Sequence, residues 1–189
     1  MEEEIAIFLE SDDEEQTKQV YAYFGLAIYF AQVLEQHAIN MIVIRKIFKQ
    51  KLTSQTAINE LWDNYEGSKK TFGGLVNEIN QLYELSDDHK IKLNQFRDKR
   101  NFIAHDYFKF NVDIFYNEKG KIRMVQDFIG FREEAQEMDS ILTNYFEKYK
   151  EILGLTKDRI DELMSELINK SKEIIVDKDY KSFTKERQI

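Results

Sequence analysis

The 189-residue chain has no cysteine, no proline and only 7 glycines. Without cysteine there is no disulfide framework, no thiolate metal site and no cysteine nucleophile. So little proline and glycine also argues against a sandwich or barrel with many tight turns. Phosphate-loop, dinucleotide, zinc-protease, EF-hand and nucleophile-elbow signatures are all missing. The Gly73-Gly74 pair lacks the lysine that a phosphate loop needs, so helix packing accounts for it better. His37, His89 and His105 are the only histidines, and no two lie within one helical turn, so neither a metal nor a cofactor is expected.

What is present is apolar and charged material in quantity, 42% and 33%, enough for a core under a polar surface. The net charge of −8 is unevenly placed. Residues 1–16 hold eight acids and no base; with those removed from the 35, 27 acids face 27 bases. The body therefore lacks the basic excess of a typical nucleic-acid binder without being acidic enough to exclude one. The acidic segment reads either as a solvated tail or as a shield over a basic cleft. It is also unlike a secretory leader. The longest apolar run, Val20–Leu34, has 15 residues interrupted by Gln32, short of the roughly 18–20 a span needs. These features suggest a soluble, cytoplasmic protein with no membrane association.

The periodicity is helical. Val20, Phe24, Ala27, Ala31, Leu34, Ala38, Met41, Ile44 (or Val43) and Phe48 form the stripe of a first helix, from about 12–16 to about 51. Tyr21, Leu26, Ile28, Tyr29, Phe30 and Ile39 make its middle apolar nearly all round, as in a central helix covered on several sides. A short helix follows around Ile58, Leu61, Trp62 and Tyr65. Thr71 and the Ser86-Asp87-Asp88 break supply caps for two more, the second ending near Ala104. Residues 106–120 suit two readings: Phe108, Phe110, Val112 and Ile114 alternate as in a hairpin strand, while Phe108, Val112 and Phe115 fit a helix. Met124, Phe128, Phe131, Ala135, Met138, Leu142, Tyr145, Tyr149 and Ile152 then step by four and three, predicting a long helix that leaves little room for a second strand. That ladder reads as bundle core in preference to a coiled-coil seam. Gly154 can stop the helix, and Thr156 starts a last amphipathic one through Ile160, Leu163, Met164, Leu167, Ile168 and Ile175. The expected architecture is all-α, an up-and-down bundle over 17–155 after the acidic segment 1–16. An additional helix and polar end occupy 156–189.

One segment carries chemistry. Arg97, Asn101 and His105 are spaced i, i+4, i+8, with Arg100 beside Asn101, at the end of a predicted helix where the dipole favours cations. A proton-transfer group beside a permanent cation suits attack on a phosphodiester: imidazole moves a hydroxyl proton and guanidinium stabilises the developing negative charge. A helix-end histidine is also commonly no more than a cap or surface residue. Glu35, inside the most apolar helix, either orients Arg100 or Arg97, or faces solvent with Gln32 and Gln36.

Arg100-Asn101-Phe102-Ile103-Ala104-His105 resembles the R-N-x-x-x-H form of the R-x4–6-H motif of the HEPN superfamily. The order of elements resembles it too: one long helix before the motif, the motif closing a later helix, another long helix after. Thr71-Phe72-Gly73-Gly74-Leu75 is similar to a segment of uncharacterised bacterial members. The resemblance implies a HEPN-like bundle that forms a homodimer with two motifs in one cleft. It implies a metal-independent endoribonuclease acting on RNA, as in many toxins and defence effectors, with Arg100 and His105 catalytic. Asn101, Glu35 and Arg97 would support them. Asp106-Tyr107 extends the likeness to the R-x4-H-x-Y version of HepT toxins, whose tyrosine is nucleotidylated by a nucleotidyltransferase antitoxin partner. Tyr107 stands at that position, and the competing reading is a tyrosine packed in the core with its hydroxyl at the surface. A second function class is a catalytically silent HEPN module that binds RNA, a nucleotide or a protein partner, a reading the neutral body favours.

Overall fold

The computed structural model describes residues 2–66 and 70–152, with scattered positions between 157 and 169. Every regular element among them is a helix: α1 (Glu2–Leu9), α2 (Asp13–Gln50), α3 (Gln55–Glu66), α4 (Phe72–Leu82), α5 (Asp87–His105), α6 (Tyr107–Phe110), α7 (Val112–Phe115) and α8 (Glu118–Ile152). The chain divides into two compact units, Met1–Phe146 and Glu147–Ile189. In the second, the described positions from 157 onward are helical and exposed. Gly154, Thr156, Ile160, Leu163, Met164, Leu167, Ile175 and the polar end 177–189 lie outside the described residues.

The first unit is built on α2, α5 and α8. Asp12 starts α2 by accepting a hydrogen bond from the Glu15 N–H at 2.9 Å, and Asp13, Glu14 and Glu15 complement the positive end of the dipole. The helix ends at Lys51 in a left-handed conformation (φ 52°), whose cap satisfies the Ile47 and Phe48 carbonyls. Lys121 near the start of α8 meets Asp13, and Asp139 farther along α8 meets His37, so α2 and α8 run parallel. Lys92 and Lys99 of α5 pair with Glu137 and Glu134 of α8 in reverse order, so α5 runs antiparallel to both. The core between them holds Ala27, Ala31, Leu34, Leu93, Phe96, Ile103, Phe128 and Phe131. Phe96 and Phe131 stack with centroids 4.9 Å apart. The four-three stripe of α8 is buried from Met124 to Leu142, and Ile152 beyond it is exposed.

Two expectations change, and one open choice is settled. The acidic segment is no solvated tail. Residues 2–9 form α1, Phe8 is fully buried, and Glu4 is held by Arg132 of α8 at 2.9 Å. Lys121, with 3% of its side chain exposed, closes on Asp13 at 2.6 Å. The burial of Phe8, with Ile5 half-buried beside it, and the pairing of Glu4 and Asp13 with half-buried Arg132 and buried Lys121 outweigh the solvation of the remaining carboxylates. Nor does α1 shield the candidate site: Glu4, Arg132 and Tyr23 group on the α8 side of α2, away from Glu35.

Of the two readings of 106–120 the helical one holds, as two single-turn helices. Asn117 then caps α8, its Oδ1 accepting from the Gly120 N–H at 2.8 Å. This return is so tight that a Cβ on Gly120 would sit 1.8 Å from the Ile114 carbonyl oxygen, which only glycine tolerates.

Finally, α2 is not covered on all sides. Tyr21, Leu26, Tyr29 and Val33 are 39–57% exposed, and a Cβ on Gly25 would meet nothing within 4 Å. By length and composition α2 would pass as a membrane span, but it is the central helix of this core.

Candidate active site

The motif closes α5. Ser86 begins this helix by capping the His89 N–H, and the last turn ends on the Asp106 N–H, which donates to the Phe102 carbonyl at 2.9 Å. Within that turn Arg100 lies between Phe96 and Ile103, which are buried, so its guanidinium emerges from the edge of the core. Its Nη2 donates to both carboxylate oxygens of Glu35 at 3.0 Å, and its Nη1 donates to Asn101 Oδ1 at 3.3 Å. Both charged side chains are about one-fifth exposed, at 22% and 21%. A half-buried pair of this kind is screened less than a surface one, so it fixes where the guanidinium can point. Of the two readings of Glu35, the structure selects the one in which it orients Arg100.

Arg97 is not brought into this cluster. Its Nη1 donates to Asn94 Oδ1 at 2.8 Å and its Nε to Asp98 at 2.9 Å. Its Cδ lies 3.3 Å from where a Gly73 Cβ would be, so the absent side chain of Gly73 lets α4 close on the stem of Arg97. That is the packing role expected for this glycine.

His105 is the last residue of α5 and is exposed. It makes no hydrogen bond or ion pair among the described residues. The other two histidines differ. His37 Nδ1 lies 2.6 Å from Asp139, and His89 Nδ1 lies 2.8 Å from the Tyr145 hydroxyl. With about 3.6 residues per turn, Asn101 and His105 fall on the side of the α2–α5 seam turned away from α8. Since the helices are antiparallel, that is also the side of Gln32, Gln36 and Tyr29 on α2. Arg100, Asn101, Glu35 and His105 therefore border one open face. No group of three potential metal ligands occurs among the described residues.

Tyr107 is buried, 3% exposed, with its ring 4.6 Å from that of Phe128. Its hydroxyl donates to Asp127 at 2.7 Å. Burial, then this hydrogen bond, pushes the phenol far above its ordinary range. The core placement agrees with the packing alternative, but the hydroxyl is committed to Asp127, and a nucleotidyl donor would have to displace that carboxylate.

Asp127 escaped sequence reasoning. Its only signal is an acid between Met124 and Phe128 on an otherwise apolar ladder. The exposed rings of Phe102 and Phe110 carry no sequence signal of their own: Phe102 is a variable position of the motif, and Phe110 belongs to an alternating run. A groove of about 360 Å³ between α5 and α8, floored by Phe96 and Met138, lies elsewhere around α5 and is flanked by the Lys92–Glu137 and Lys99–Glu134 pairs. It holds none of the motif residues. No protein-family model, no curated protein and no solved structure matches this chain.

Proposed function

We propose that the protein is a cytoplasmic, metal-independent endoribonuclease of HEPN type, working as a homodimer whose two motifs face one another. The observation that carries this reading is the contrast at the end of α5: Arg100 is fixed by Glu35, while His105 is exposed and has no partner among the described residues. One His105 takes the 2′-hydroxyl proton as O2′ attacks phosphorus. Arg100 stabilises the charge on the equatorial oxygens. The P–O5′ bond breaks, the second copy's His105 protonates the leaving O5′, and a 2′,3′-cyclic phosphate remains. The exposed ring of Tyr29, on the same side of α2 as Gln32 and Gln36, supports the dimer, because it leaves apolar surface uncovered beside the motif.

The test is RNA cleavage by purified protein in EDTA, beside Arg100→Ala and His105→Ala controls matched by circular dichroism. Cleavage by the wild type alone, with cyclic-phosphate ends, is expected. Full activity in His105→Ala would end the proposal. The silent binding module is kept as a second reading because Glu35 already compensates the Arg100 charge. It calls for RNA binding without product, unchanged in His105→Ala.

A further inference from the structure

Beyond His105 the surface becomes aromatic. Phe102, one turn before His105 on α5, is 40% exposed, and Phe110, at the end of α6, is 68% exposed. Their rings lie 6.2 Å apart between centroids and 24° from parallel. Burying both inside the bundle would be favourable by the usual area argument, yet the chain breaks at Asp106 and folds back so that the pair remains outside. The platform beneath is rigid. Phe102 packs edge-on against Tyr107 at 5.8 Å, and Tyr107 is anchored on Asp127 and Phe128.

Cations accompany the rings. Lys109 Nζ lies over the Phe110 ring at 5.2 Å and makes only a long, exposed pair with Asp106 at 3.7 Å. Arg123 is exposed on α8, one turn before Asp127 and close enough to Tyr107 to act on its phenol. It makes no ion pair among the described residues. Paired apolar rings flanked by loosely held cations match a nucleobase joined to a phosphate better than they match an apolar helix. A helix would have to desolvate Lys109 and Arg123 without compensation. A duplex keeps its base faces covered, so the complementary ligand is single-stranded.

We infer that Phe102 and Phe110 form a base-stacking platform beside His105, with Lys109 and Arg123 holding the adjoining phosphates, so that the site takes single-stranded RNA. This specifies the substrate of the ribonuclease reading and rests on it, but the binding it describes is measurable without cleavage. The experiment is fluorescence anisotropy on the full chain carrying His105→Ala, with a short labelled oligoadenylate, an abasic ribose-phosphate chain of equal length, and a hairpin duplex. The oligoadenylate is expected to bind roughly ten-fold more tightly than the other two. Phe110→Ala should remove about that factor, and Phe110→Trp should retain binding with the indole emission quenched on RNA. Phe110 is exposed enough for both variants to fold.

Equal affinity for the abasic chain, or unchanged binding in Phe110→Ala, overturns the platform. A dimer that becomes a monomer on Phe110→Ala with no loss of RNA affinity does the same and assigns the rings to self-association. Failure of the ribonuclease reading looks different: stacking-dependent binding persists while the parent protein with His105 intact releases no cyclic phosphate.

Discussion

The two ends of α5 each carry a histidine, and the chain treats them in opposite ways. At the start, the His89 N–H is capped by Ser86, its ring is 2.8 Å from the Tyr145 hydroxyl, and that hydroxyl also accepts from the Ser86 N–H. Three groups on two helices satisfy one another there. At the end, His105 has no partner among the described residues, while the frame under it is fixed: Arg100 by Glu35, Tyr107 by Asp127, and the chain return by Gly120. An unpartnered polar side chain on an otherwise tied frame is what a site needs to bind without first breaking its own bonds. The first end is architecture; the second is held ready.

The sharpest way to break that comparison is to exchange the outcomes. His105→Ala should lower RNA cleavage by about 10²–10⁴-fold, the usual worth of a positioned proton-transfer group, and leave the melting temperature unchanged. His89→Ala should do the reverse, costing about 1 kcal/mol of stability with cleavage intact. Parallel thermal melts and single-turnover assays decide it, and equal activity losses in the two variants would refute the asymmetry.

Next in size is the frame at the second end. In Gly120→Ala the new methyl collides with a backbone carbonyl, which cannot rotate away as a side chain would. A loss of about 3 kcal/mol is expected, or roughly 10 °C in melting temperature. Cleavage should fall even at temperatures where the variant is folded, because α7 and the first turn of α8 no longer meet in register. A Gly25→Ala control, where nothing lies within 4 Å, should be neutral or slightly stabilising.

Much of this division was legible in the sequence, for identifiable reasons. Long helices announce themselves through the 3.6-residue period, so α2, α5 and α8 and the caps at Thr71 and Ser86 follow from spacing and hydrogen-bonding side chains alone. Arg100 and His105 stand out because the motif is local. The partner that fixes Arg100 is 65 residues away, and nothing in a linear pattern separates an orienting Glu35 from a solvated one. The fate of the acidic segment was hidden likewise, since Glu4 answers to Arg132, 128 residues later, and Asp13 to Lys121. Alternation over 106–114 left both readings open because Phe108, packed on Phe24 and Phe128, and exposed Phe110 stand two apart and look alike in a linear pattern.

Tyr107 allows a smaller and cleaner test. Tyr107→Phe removes one hydrogen bond to a carboxylate and should cost about 1–2 kcal/mol at neutral pH. In the folded protein the neutral phenol is favoured, while in the unfolded chain it ionises near its ordinary value of 10.0. Above that pH the unfolded state has lost a proton that the folded state keeps, so stability falls as pH rises, by about 1.4 kcal/mol per unit for this group. Below pH 10 both states hold the proton and the group adds no slope. The wild type should therefore lose stability faster than Tyr107→Phe between pH 10 and 11 in urea melts; parallel curves would show that the phenol is not held as described.

The smallest effect belongs to the first end of the helix. Tyr145→Phe deletes the oxygen that serves both His89 and the Ser86 N–H, but the Ser86 N–H is exposed and water can replace the lost acceptor. The ring itself stays, keeping its edge-on contact with His89 at 5.6 Å between centroids. A cost of about 1 kcal/mol is expected, with RNA cleavage and its pH profile superimposable on the wild type. A displaced pH profile would mean that the two ends of α5 are coupled through the helix, and His89 would then have to be counted among the groups that position His105.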